Sequence, residues 1–156
     1  IERIFVFKRW REMPAGARKI GHLVEFHTRH KLLLLAHSPK HSGSLGKLVA
    51  EAKEMAPADL YGRYLSLMME ALRLKATVNK HTNVLHHLMG YFKKELSGDE
   101  KQELLEVISR YHEGTIPLVV PITLLNHYVR KYDQPYLKTQ HYLNPHPVEL
   151  QLRNHV

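Results

Sequence analysis

The chain has 156 residues, enough for one domain, and its 44% hydrophobic content is sufficient to build a core without metal or disulfide support. It contains no cysteine, which excludes disulfides, thiolate-held zinc and iron–sulfur clusters within the chain. Its formal net charge of +8 points outward, toward a polyanion partner, and no apolar run approaches the roughly 20 residues of a membrane helix.

Helical periodicity runs through almost the whole chain. Ile4, Phe5, Lys8 and Arg9 open an amphipathic segment that Pro14 and Gly16 end. A second helix, from about Arg18 to His37, is apolar on nearly every side and is therefore central. Ser38-Pro39 stops it, because a residue preceding proline is pushed out of helical geometry. Further helices are predicted over Leu45 to Met55, Ala58 to Lys75 with Pro57 in the first turn, and His81 to Lys94. Ser97-Gly-Asp-Glu100 is a capping box for a solvated, acidic helix that Gly114 terminates. The next helix tolerates Pro117 and Pro121 early and continues to Tyr132. The tail from Gln134 reads as a short helix plus extended chain. The expectation is all-α: a single compact multi-helix domain, residues 1–156, with about seven helices. Because it opens at Ile1 rather than methionine, the chain reads as a piece cut from a longer polypeptide.

Three polar stripes could carry chemistry. At 100° per residue, His27, His30, Lys31, Leu34, His37 and Ser38 fall within about 120° of one another on the central helix. Such a stripe is either hydrogen-bonded internally or lines a cleft. Asn83, His87 and Tyr91 stack at a spacing of four beside Gly90, where a helix–helix contact or a ligand could approach. Thr123, Asn126, His127 and Arg130 form the third. A groove shared by all three is the sharpest reading. No H-E-x-x-H or comparable metal signature is present, and Lys31 stands where a second ligand to His27 would be needed. Nucleophile elbows and phosphate-binding loops are absent too.

The charge is segregated. Glu95, Asp99, Glu100, Glu103, Glu106 and Glu113 face only Lys101 and Arg110, a local −4 that leaves +12 for the rest. Mixed basic and aromatic stretches, such as Lys8 to Arg11 and Tyr91 to Lys94, suit phosphate contacts and base stacking.

Phe26-His-Thr-Arg-His-Lys31, Leu35-Ala-His-Ser38, His81-Thr-Asn-Val84 with Gly90-Tyr-Phe92, Pro117 with Pro121, and His127-Tyr128 together resemble the YbgA-like family, from about Val6 to Val156. That family's domain occurs alone or C-terminal to a thiouracil-desulfidase-like domain holding an iron–sulfur cluster on cysteines. The fused proteins resemble RudS-type tRNA 4-thiouridine desulfidases, in which the YbgA-like part is taken to bind tRNA. The resemblance implies a cytoplasmic, non-membrane accessory domain that is the C-terminal part of a longer protein. It has no catalytic residue or cofactor of its own, binds tRNA, and leaves the cluster to a desulfidase partner. Phosphates would then be met by Arg9, Arg11, Arg29, Lys31, Lys40, Lys93, Arg130 and Lys131, and the groove lined by His27, His37, Asn83, His87 and His127. Two alternatives remain at this point: a domain that only docks or stabilises its partner, and an enzyme using histidine acid–base chemistry.

Overall fold

The computed structural model describes residues 1–13 and 19–153, and these form helices wherever the apolar period is strong. Helix α1 (Glu2–Arg11) carries Glu2 in its first turn and Lys8, Arg9 and Arg11 in its last, the polarity that a helix dipole favours. Pro14, Gly16 and Arg18, expected at the junction with the next helix, lie outside the described residues. Helix α2 (Ile20–His37) buries Leu23, Phe26, His27, His30, Leu32, Leu33, Leu34, Ala36 and His37. It is the core helix that its all-round apolar pattern predicts.

Ser38 ends α2 in an extended conformation and at once caps α3 (Pro39–Ala50), its hydroxyl accepting the His41 amide. Helix α3 therefore begins six residues before the leucine pattern suggests. The Ser-Pro pair that stops one helix starts the next, with proline where a missing amide costs nothing. A 3₁₀ turn (Ala52–Glu54) takes up the end of the predicted Leu45–Met55 segment. Helix α4 (Pro57–Ala71) turns Leu60, Tyr61, Tyr64, Met68 and Ala71 inward. These helices, with Gln140–Tyr142, make one compact unit, in which α2, α3 and α4 pack on one another.

A second unit holds the chain from Thr77 to Thr139 and from Leu143 onward. It contains α5 (Val78–Gly90), α6 (Gly98–His112), α7 (Val119–Lys131), α8 (Pro135–Lys138) and α9 (Pro147–Arg153). Helix α6 packs against both α5 and α7. Its start is the predicted capping box: Ser97 Oγ accepts the Glu100 amide and the Glu100 carboxylate accepts the Ser97 amide. Its stop is Gly114, at φ +82°, a backbone conformation that favours glycine.

Among the described residues there are nine α-helices and no strand, so the fold is all-helical; eight of the helices span seven residues or more. The surplus over about seven comes from the tail, where Pro135 and Pro147 each open a short helix. No described helix is long and apolar enough to cross a membrane.

Candidate functional site

In the first unit α1, α2, α4 and the 140–142 segment converge on a histidine-rich cluster. His30 is 1% exposed, and both its ring nitrogens are committed. Nδ1 faces the Phe26 carbonyl at 2.7 Å and Nε2 receives the Arg9 Nε at 3.0 Å. A carbonyl only accepts and a guanidinium only donates, so the proton sits on Nδ1. Burial, partly opposed by the Phe26 carbonyl and reinforced by His141, Arg9 and His27, lowers the pKa of His30 to about 2. The ring stacks on Phe26 at 4.1 Å and meets the tilted His141 ring at 4.5 Å.

His27, 4% exposed, places Nδ1 2.9 Å from the Tyr64 hydroxyl. Burial pushes the Tyr64 phenol up, so its proton stays and is the natural donor to Nδ1. His27 Nε2 is then buried with no hydrogen bond, 3.8 Å from where a Cβ on Gly46 of α3 would stand. Burial, with help from Lys31, lowers this imidazole to about 4. Trp10 closes the cluster, stacking on Tyr64 at 5.6 Å and meeting Phe26 edge-on at 5.2 Å. Further along α2, His37 is buried between the Leu74 carbonyl, 2.7 Å from Nδ1, and the Glu2 carboxylate at Nε2. The first stripe is thus mostly internal. Its buried histidines draw partners from α1, α4 and the Leu74 turn, and Lys31 alone of its members is exposed.

The predicted phosphate contacts other than Arg9 are at the surface. Arg11, Lys31, Lys40, Lys93 and Arg130 are exposed and make no ion pair among the described residues. Arg29 pairs with Glu25 at 3.0 Å, Lys131 with Glu100 at 3.1 Å, and half-buried Arg9 serves His30. The Tyr132 hydroxyl also donates to Glu100, and this bond, backed by the Ser97 amide, holds that carboxyl down at about 2.

In the second unit Asn83, His87 and Tyr91 are exposed on and just after α5. No described atom comes within 4 Å of a Cβ added at Gly90, so no helix packs there. On α7, His127 and Arg130 are exposed, Thr123 bonds back to the Val119 carbonyl, and Asn126 donates to the Leu143 carbonyl at 2.9 Å. The histidines expected to share a groove therefore divide: His27 is buried in the first unit, His87 and His127 lie exposed in the second.

Sequence reasoning passed over His141, Gln140 and Tyr136. Tyr136 stacks on Tyr91, 5.5 Å away at 29°. Buried Gln140 donates to the Thr28 carbonyl at 2.6 Å and accepts from the Leu32 amide at 3.4 Å. The His141 amide donates to the Arg29 carbonyl at 3.0 Å. These ties span more than a hundred residues and no local period announces them.

No group of three histidine, aspartate or glutamate side chains able to hold a metal occurs among the described residues. The chain does not fit an iron–sulfur cluster either, having no thiolate to offer.

The family model described as "Protein of unknown function (DUF1722)" matches residues 31–147. The protein described as "Uncharacterized protein YbgA" of Escherichia coli (strain K12) is 32% identical over 153 residues, covering 97% of this chain and 90% of the relative. No solved structure matches the chain.

Proposed function

The chain belongs to the YbgA-like, DUF1722 family, and we propose that it is a cytoplasmic RNA-binding domain that holds tRNA for an iron–sulfur desulfidase partner converting 4-thiouridine to uridine. The observation carrying the polyanion half of this reading is the disposition of charge. Arg11, Lys31, Lys40, Lys93 and Arg130 stand exposed without a carboxylate among the described residues, while the acids concentrate on and around α6. Unneutralised surface cations gain by displacing counterions from phosphates. His87, Asn83 and His127, all exposed, supply ring and amide groups suited to unpaired bases. Buried His27 and His37 are engaged by Tyr64, Leu74 and Glu2 inside the first unit and serve packing there. The identity of the RNA and of the partner rests on the family resemblance.

Acid–base catalysis by the buried cluster is a poor fit. A general base works best with a pKa near the operating pH, and these imidazoles sit at about 2 to 4. A docking role has one specific observation in its favour: Ile4 and Phe7 are 72% and 42% exposed on α1. Docking and RNA binding are compatible.

Titrating the chain with thiolated tRNA in mobility shifts at several salt concentrations tests the proposal. Affinity falling steeply with salt supports it, and no shift at low salt overturns it.

A further inference from the structure

The polar stripe of the second unit ends in an aromatic ring that the fold holds at the surface. Tyr91 lies one residue past α5 but keeps helical dihedrals, φ −66° and ψ −19°, so it stays on the face of Asn83 and His87. It is 43% exposed, yet its place is fixed from two sides. Phe92, next along the chain, is fully buried against Tyr128 and Tyr132. Gln134, which precedes α8, donates its side-chain amide to the Tyr91 carbonyl at 3.4 Å and to the Glu95 carboxylate at 3.3 Å. Two residues on, Tyr136 stacks on Tyr91 with centroids 5.5 Å apart, and no other ring meets Tyr91 among the described residues. Gly90 shares this face and borders open space, since no described atom lies within 4 Å of a Cβ built there.

A pre-set ring with one stacking partner and open space beside it suits a guest that is itself flat. An aliphatic guest needs enclosing walls, which an exposed helix face does not supply, whereas two π-faces attract without enclosure. Lys93 and Lys94 follow at once, exposed and without an ion pair among the described residues, so a cationic guest is disfavoured. Glu95, the acid beside them, is engaged by Gln134. An aromatic group joined to an anion is a nucleotide. His87 and Asn83 continue the stripe in steps of about 6 Å, close to the reach of one extended nucleotide, and the Asn83 amide offers a donor and an acceptor to a base edge. We infer that Tyr91, backed by Tyr136, stacks an unpaired RNA base over the opening at Gly90, so that this unit selects single strands over duplex. The inference rests on the RNA reading and adds which part of the RNA is held. Phosphate contacts alone take a duplex as readily, but bases inside a duplex have both faces covered.

The test is fluorescence anisotropy on the full chain at one low salt concentration, with a short uridine-rich single strand and with the same strand annealed to its complement. Wild type is expected to favour the single strand by roughly tenfold, the usual weight of one stacked base. Tyr91→Ala is expected to lose about that factor on the single strand and little on the duplex. Tyr91→Phe keeps the ring and is expected to stay within about twofold of wild type. Gly90→Leu fills the opening with a better helix former, so the fold is kept while single-strand binding falls by a similar factor. Wild-type affinity for the single strand in both Tyr91→Ala and Gly90→Leu overturns the platform and leaves the RNA reading standing. So does a Tyr91→Phe variant as weak as Tyr91→Ala, because then the hydroxyl and not the ring carries the contact. Wild type that binds neither strand overturns the RNA reading and the platform with it.

Discussion

Acidification from pH 7 to pH 5 is expected to weaken this protein through His27, His30 and His141. Each has a folded pKa below the ordinary 6.5, at about 4, about 2 and about 4. The unfolded chain therefore binds the protons that the folded one refuses. Stability is fully present above about pH 6.5 and is lost as the pH falls toward the folded values. Between pH 7 and 5, linkage gives about 2 kcal/mol for each independent group. Contact between His30 and His141 and some water entry reduce the sum, so about 4 kcal/mol is expected in total. That is a large part of the 5–15 kcal/mol typical of a domain. Urea unfolding at pH 7, 6 and 5, in phosphate-free buffer, measures it, and the slope of stability against pH counts protons taken up. Wild type is expected to take up two to three, and His141→Asn about one fewer. Glu100, held at about 2, adds its own loss only below about pH 5 and does not enter this window. A midpoint indifferent to pH between 7 and 5, or one that moves to higher urea in acid, refutes the neutral-histidine cluster.

Two substitutions examine the packing around it. Tyr64→Phe removes the only hydrogen-bond partner of the buried His27 ring among the described residues and is expected to cost about 1–3 kcal/mol in urea melts; an unchanged midpoint would show that the bond contributes nothing. Gln140→Leu cuts the two side-chain hydrogen bonds between the returning segment and α2 and leaves the His141 amide bond to Arg29. It is expected to cost about 2 kcal/mol and to speed amide exchange at Leu32, whereas unaltered exchange would mean that the segment is held by something else.

Most of the helical order was legible because periodicity and caps are local. The capping box at Ser97 and the stop at Gly114 depend on residues three or four apart, and both stand where the pattern placed them. The start of α3 was hidden because Ser38-Pro39 reads equally as an end and a beginning. The first histidine stripe was legible as a face but not as a core. Its partners, Tyr64, Leu74 and Glu2, lie 35 to 37 residues from His27 and His37 in sequence, and only packing reveals them. The same holds for His141, whose neighbours on α2 are more than a hundred residues away.

The central claim is that exposed cations of this chain hold RNA through phosphates. Fluorescence anisotropy with tRNA containing 4-thiouridine, repeated from low to physiological salt, gives the slope of log affinity against log salt. Five contacts by Arg11, Lys31, Lys40, Lys93 and Arg130 correspond to a slope of about −4, and Lys31→Ala, Lys93→Ala and Arg130→Ala together are expected to bring it to about −2. Affinity that ignores salt, or a triple variant with the slope of the wild type, contradicts the claim.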